Sequence, residues 1–167
     1  HLNVVAWGLN RGAWAALPWA GEVADADALV RALQPASSTS YCYVHHYDPP
    51  PAQFPTMRYA DALAANERAW PALGRLVAPA PYFPNVSMGW DATPRCLGTD
   101  RFAFRGYPWM HVFQDNSPAA FKDAMLRAKR YVDQTPGPKI ITLNAWNEWT
   151  EGSYLLPDTK HGTAYLE

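Results

Sequence analysis

Charge is scarce in this sequence, and what there is balances. Charged residues make up 17% of 167, and the net charge is −1. Nothing in that balance favours nucleic acid or an anionic membrane as a partner, and neither is expected. No apolar run reaches the roughly 18–20 residues needed to cross a bilayer. The opening, His1-Leu2-Asn3-Val4, has neither an initiator Met nor a signal-peptide pattern, and both ends read as cut from something longer. Cysteine is nearly absent too. Cys42 and Cys96 allow one bridge and no framework, so two free thiols are expected. The patterns G-x-G-x-x-G, P-loop and G-x-S-x-G are missing, which leaves nucleotide-binding and acyl-hydrolase readings without support.

What the chain has instead is aromatic surface. Aromatics reach 14% with eight tryptophans, and hydrophobic residues 49%. That suits one compact domain or part of a larger one. An excess of Trp serves a large core, or it serves sugar binding, since apolar sugar faces stack on aromatic rings. Four runs carry the aromatic and β-branched enrichment of strands: residues 2–8, 40–47, 83–90 and 139–146. Helical patterns separate them. Residues 23–33 form the first, with Asp25 or Asp27 favourable at its N-terminus. Residues 59–77 form the second, with Leu63, Trp70, Leu73 and Val77 at helical spacing and Pro71 placed to kink or split it. Residues 118–132 form the third, with Ser117 as N-cap and Pro118 at the first helical position. Alternating strands and helices predict an α/β fold with a parallel sheet. Two long segments, 47–56 and 90–116, follow strand ends, where parallel α/β folds build their sites.

The stretch Asn144-Ala145-Trp146-Asn147-Glu148-Trp149-Thr150-Glu151-Gly152 ends the fourth strand. Strand alternation turns Ile141, Leu143 and Ala145 one way and Thr142, Asn144, Trp146 and Glu148 the other. A residue three positions on would face away from Glu148. The chain must therefore leave strand geometry after Glu148 if Glu151 is to share its site, and Gly152 permits the bend. Two carboxylates flanking one bond are the equipment of glycoside hydrolysis. Trp146 and Trp149 are placed to desolvate an acid, and Asn147 to donate to a base. The plainer alternative makes Glu148 and Glu151 rim acids paired with Lys160 or Arg95.

Other strand ends offer further candidates. Trp90 reads as a stacking wall or a buried Trp. Asp91 reads as a sugar contact or as a cap on the turn to Thr93, and Arg95 as holding Asp91, a substrate carboxylate or a structural partner. On residues 40–47, alternation sets Tyr43, His45 and Tyr47 on one face and Cys42, Val44 and His46 on the other, which makes His45 and Tyr47 site candidates. Trp7 reads as packing. His45, His46, Asp48 and His111 could supply metal ligands, but adjacent histidines point apart on a strand and no second pair has ligand spacing. No metal and no cofactor are expected.

Residues 145–167, A-W-N-E-W-T-E-G-S-Y-L-L-P-D-T-K-H-G-T-A-Y-L-E, and residues 86–95, V-S-M-G-W-D-A-T-P-R, together resemble a known pattern. The N-E-W-x-E-G stretch is similar to that of glycoside hydrolase family 99, the endo-α-mannosidases and endo-α-mannanases. The two signatures in this order are closer still to the family-99-like barrels of the WbsX type, found among polysaccharide gene products. The likeness covers residues from about 83 onward by motif and the earlier ones by pattern alone; Leu156 departs from it where many relatives carry an acid.

The resemblance implies the C-terminal half of a (β/α)8 TIM barrel, with residues 1–167 a single partial domain and the N-terminal half outside it. A whole barrel takes about 250 residues. It also implies a retaining endo-acting glycoside hydrolase on an α-linked glycan such as α-mannan. Glu148 would deprotonate the sugar 2-hydroxyl for internal attack, and Glu151 would act as general acid, then base. Trp146, Asn147, Trp149, Trp90, Asp91, His45 and Tyr47 would contact the oligosaccharide or polysaccharide. A WbsX-type glycosyltransferase, a polysaccharide-modifying enzyme and a non-catalytic glycan-binding barrel are the alternatives.

Overall fold

The computed structural model describes residues 3–5, 26–46, 49 and 51–167. Trp7, Tyr47 and Asp48 lie outside them, as do residues 23–25 of the expected first helix. In chain order the elements are β1 (Asn3–Val5), α1 (Ala26–Leu33), β2 (Ser37–Thr39), β3 (Thr56–Arg58), α2 (Tyr59–Val77), β4 (Tyr82–Phe83) and β5 (Asn85–Ser87). After these come β6 (Val112–Gln114), α3 (Pro118–Gln134), β7 (Thr142–Asn144), β8 (Asn147–Glu148) and β9 (Ser153–Tyr154). The fold is mixed α/β, with parallel strand pairs separated by helices.

β1, β2 and β4 form one parallel sheet in that order, with Asn3 opposite Ser37 and Ser38 opposite Tyr82. β5 pairs in parallel with β7, Val86 opposite Leu143. Only Pro84 separates β4 from β5. Proline has no N–H for a ladder, so the run expected as one strand over 83–90 is cut in two, and each part serves a different neighbour. Thr39 Oγ1 and Thr142 Oγ1 lie 2.7 Å apart, and Asn85 Nδ2 donates to Thr142 Oγ1 at 3.2 Å. Thr39 and Thr142 stand on strands flanking β4 and β5, so their side chains meet only because the array curls towards that face. The expected sorting of the fourth strand appears here: Thr142 and Asn144 turn inward and Leu143 is exposed.

The helices pack against this array. α2 buries Tyr59, Leu63, Trp70, Leu73 and Val77 and runs unbroken past Pro71. The expected split does not occur. Each large side chain buried contributes about 1.5–3 kcal/mol, and together they outweigh the roughly 3 kcal/mol that an interior proline takes. Tyr131 of α3 steadies the same turn, with its hydroxyl on Trp70 O at 3.2 Å. α3 starts where the sequence places it: Ser117 accepts from Ala120 N at 3.2 Å, and Pro118 is the first helical residue.

The strand expected over 40–47 does not form. β2 covers Ser37–Thr39, just ahead of it, and Tyr43–His46 form a 3₁₀ turn. Tertiary partners capture the backbone that a longer strand would need. Tyr43 N donates to Ser87 Oγ at 3.0 Å, and Asn66 Nδ2 of α2 donates to Tyr43 O at 3.1 Å. The alternation expected over 40–47 therefore fails, and Tyr43 is core. The 90–116 segment also differs. Its Val112–Gln114 pairs in parallel with Thr56–Arg58, and Phe113 N donates to Trp90 O at 2.8 Å. The fourth strand stops at Asn144, and Asn147–Glu148 turns back on Ser153–Tyr154 as an antiparallel hairpin.

Candidate active site

The hairpin tip carries both glutamates. After Glu148 the chain enters a 3₁₀ turn over Trp149–Glu151, which Gly152 closes at φ +60°. That conformation favours glycine. A Cβ there would also sit 2.8 Å from Asp91 Cβ and 3.0 Å from Asp91 N, and a Cβ on Gly89 would sit 2.5 Å from Gly152 O. The Gly89-Trp90-Asp91 turn thus lies directly over the Glu151-Gly152 turn, and Asp91 N donates to Glu151 O at 2.7 Å. Two glycines set this approach, and it fixes the Glu151 backbone.

The side chain of Glu151 is buried, with the residue 6% exposed. Tyr107 donates to its Oε1 at 2.9 Å and Tyr41 to its Oε2 at 3.4 Å. Burial, then the Glu151 charge, pushes the Tyr41 phenol up to about 12. Tyr107 is raised further by its own burial and by its hydrogen bond to Glu151. Both phenols therefore stay protonated at neutral pH and act as donors.

Glu148 is more open. Its Oε1 accepts from Arg95 Nη2 and from Thr150 Oγ1, each at 2.9 Å, and Arg95 Nε donates to Thr150 Oγ1 at 2.9 Å. The same Arg95 Nη2 stands 3.6 Å from Glu151 Oε1. One guanidinium nitrogen thus contacts both carboxylates. Their near oxygens can be no further apart than those two contacts, 2.9 and 3.6 Å, laid end to end. Burial opposes the Arg95 charge, but Tyr107, Glu148 and Glu151 outweigh it and raise its pKa. Its guanidinium lies 5.6 Å from the Tyr107 ring centre, an arrangement that favours the cation.

The remaining candidates divide. Trp90 is 3% exposed, and its indole N–H finds no acceptor among the described residues. Its ring meets His45 edge-on at 6.1 Å and Tyr107 at 6.4 Å. His45 is buried beside it, with Tyr41 at 5.8 Å. Burial and the neighbouring His46 push His45 down to about 3, so it is neutral at pH 7. Asp91 Oδ1 accepts from Thr93 N at 2.9 Å and Thr93 Oγ1 at 2.6 Å, which closes the turn. Arg95 engages the two glutamates and Thr150, and the pairing with Asp91 open to it does not form.

Trp146 and Trp149, expected to desolvate an acid, are 57% and 46% exposed; Tyr41 and Tyr107 cover Glu151 instead. Asn147 is exposed and pairs through its backbone with Tyr154. Cys42 is buried, Cys96 is half-buried, and both are free thiols. Among the described residues, no three His, Cys, Asp or Glu side chains are grouped to hold a metal. His111 packs instead against Phe54 and Phe104, at 5.2 and 5.4 Å.

Nothing in the sequence marks Tyr41 and Tyr107 as partners of Glu151. Tyr41 shares strand parity with His45, and Tyr107 sits in Gly-Tyr-Pro within the long segment; these are the signals that point to them.

A family model described as "Glycosyltransferase WbsX" matches residues 31–167. Two curated relatives, both described as "Uncharacterized protein WxcX", come from Xanthomonas campestris pv. campestris strains B100 and ATCC 33913. Each is 33% identical over 87 residues, which is 51% of this chain and 11% of the relative. The aligned part is thus a small share of those proteins. No solved structure matches.

Proposed function

The chain belongs to the WbsX glycosyltransferase family, a glycan-active group, and we propose that it carries the catalytic pair of a retaining glycoside hydrolase. The substrate is an α-linked glycan such as α-mannan, cut internally with participation of its own 2-hydroxyl. The observation that carries this reading is the convergence of two carboxylates on Arg95 Nη2, one buried and one open. Inverting glycosidases hold their carboxyls about 6.5–9.5 Å apart to admit a water between them. The bound set by the Arg95 contacts reaches only the lower edge of that range, which favours retention. The curl between Thr39 and Thr142 supports placing these strands in half of a (β/α)8 barrel, with the site at the strands' C-terminal ends.

Glu148 takes the proton of the 2-hydroxyl, and that oxygen attacks the anomeric carbon. The glycosidic C–O bond breaks, its electron pair goes to the leaving oxygen, and Glu151 in its acid form protonates it. Water then enters, Glu151 removes its proton, and its oxygen opens the 1,2-anhydro ring at the anomeric carbon. Glu148 returns its proton to the 2-oxygen. Two displacements at one carbon restore its configuration.

Arg95 and Thr150 aim Glu148; Tyr107 and Tyr41 aim Glu151. The buried Trp90 N–H has no acceptor among the described residues, and neutral His45 lines the same wall. Trp146, Trp149 and Asn147 offer exposed contacts. Asp91 acts through its N–H on Glu151 O, since its carboxylate is engaged by Thr93.

The test is reducing-end release from a panel of α-glycans by the full-length parent, beside its Glu151→Gln and Glu148→Gln variants. Release by the parent and near silence from each variant supports the reading. A loss below about tenfold in Glu151→Gln sinks its acid role, which typically contributes 10²–10⁴-fold.

The family's own description favours a second reading, glycosyl transfer. The chain has one Asp-x-Asp spacing, Asp25-Ala26-Asp27, more than a hundred residues ahead of Glu148 in the sequence. Sugar transfer from a nucleotide-sugar donor, abolished in Glu151→Gln, would favour that reading over hydrolysis. Glycan binding with no turnover would point to a binding barrel.

A further inference from the structure

Of the two exposed tryptophans at the hairpin, one is built into a support. Trp149 stacks on Tyr154 with ring centres 3.8 Å apart and planes at 22°, yet stays 46% exposed. Trp146 is more exposed and has no ring neighbour among the described residues.

The support is itself pinned. Tyr154 N donates to Met88 Sδ at 2.8 Å, and Tyr154 OH donates to Asp158 Oδ2 at 3.1 Å. Asp158 Oδ1 accepts from the backbone N–H of Lys160 and of His161. The same loop closes through Asp158 N on Gly162 O at 3.2 Å and Gly162 N on Asp158 O at 3.0 Å. A stack that served only the core would be buried. This one holds an indole face towards solvent, in the residue next to Glu148.

We propose that Trp149, held by Tyr154 and Asp158, is a rigid platform for one pyranose ring of the glycan, adjacent to the ring whose bond the glutamates cut. This rests on the hydrolase reading for its place in the substrate, though not for the binding itself. The apolar face of a pyranose gains by leaving water against an aromatic plane. A platform already fixed before binding loses little conformational freedom in doing so. The site therefore takes at least two sugars, which favours oligosaccharides over simple glycosides. Trp149 is the contact; Tyr154 and Asp158 are positioning residues.

The test is binding of the full-length parent, carrying Glu151→Gln to stop turnover, to an array of immobilised oligosaccharides and their component monosaccharides. Adding Trp149→Ala is expected to weaken every retained oligosaccharide roughly tenfold or more. Trp149→Phe should recover part of that loss, and Asp158→Ala should fall between the parent and Trp149→Ala. Unchanged oligosaccharide affinity in Trp149→Ala overturns the platform, as does an array on which the parent retains no oligosaccharide. The two readings fail separately. No glycan release by the parent, with oligosaccharide retention kept, sinks the hydrolase reading and leaves the platform. Affinity that survives Trp149→Ala sinks the platform and leaves the hydrolase.

Discussion

Replacing Tyr107 with Phe removes one oxygen and keeps the ring. The Arg95 guanidinium, 5.6 Å from that ring centre, keeps its aromatic neighbour. What goes is the 2.9 Å hydrogen bond to Glu151 Oε1. A hydrogen bond to a charged group contributes about 1.5–3 kcal/mol. Glu151 is 6% exposed, so solvent cannot replace the donor freely. Tyr41 reaches only the other oxygen, at 3.4 Å, and Arg95 is 3.6 Å away. If all of that energy orients the carboxylate for activating water, the step in which Glu151 is the ionised base, kcat falls roughly tenfold to 150-fold. KM should change little, because the group lost faces the glutamate. The assay is steady-state glycan release by the full-length parent, with thermal unfolding alongside. A kcat within about threefold of the parent, in a variant that folds normally, refutes the claim that Tyr107 aims the Glu151 carboxylate.

Three other changes test the supports of the site. Gly152→Ala must place a Cβ at φ +60° and 2.8 Å from Asp91 Cβ; a loss of at least about 1–2 kcal/mol is expected by denaturant unfolding, with turnover lost in parallel as Glu151 shifts. A melt and a rate both unchanged would show that the two turns are not rigidly superposed. For His45, burial lowers the folded pKa to about 3 against an unfolded value near 6.5. The folded form thus resists a proton that the unfolded chain accepts, so its contribution is complete above about pH 6.5 and is lost as pH falls towards 3. His45→Gln should flatten the stability profile across that window; an identical acid limb would refute the assignment. Ser117→Ala removes the α3 cap and should lower stability by about 1 kcal/mol without touching kcat, which thermal unfolding and the release assay check together.

Two of the helices and the pair of acids are legible in the sequence. Ser117-Pro118 announces α3 because capping is chemistry within four residues, and α2 is visible because Leu63, Trp70, Leu73 and Val77 share one face. The two glutamates are visible as a spacing. Their partners are not. Tyr107 lies 44 residues from Glu151 and Tyr41 lies 110 away, and no periodicity links positions joined only by tertiary packing. The same reason undoes the 40–47 strand. Its residues suit a strand locally, yet Ser87 Oγ and Asn66 Nδ2 hold the Tyr43 backbone in another shape. Pro71 errs the other way: locally it should break α2, and the buried face overrides it.

The three-residue spacing of the glutamates acquires its meaning from the turn that contains it. On a strand, residues three apart point to opposite faces, and Glu148 and Glu151 could not share a partner. In a 3₁₀ turn, with three residues per turn, such residues lie one above the other. The chain makes this change at Glu148, the last residue of β8 and the first flank of the Trp149–Glu151 turn. Both carboxylates then point to one side, where Arg95 meets them with a single nitrogen. Their difference in burial comes from what covers each end. Glu151 lies under the Asp91 turn and against two phenols. Glu148 stands at the mouth, with Thr150 and Arg95 as partners. Two identical side chains thus stand on one side of the turn in unlike surroundings, the arrangement that the proposed acid and base roles require.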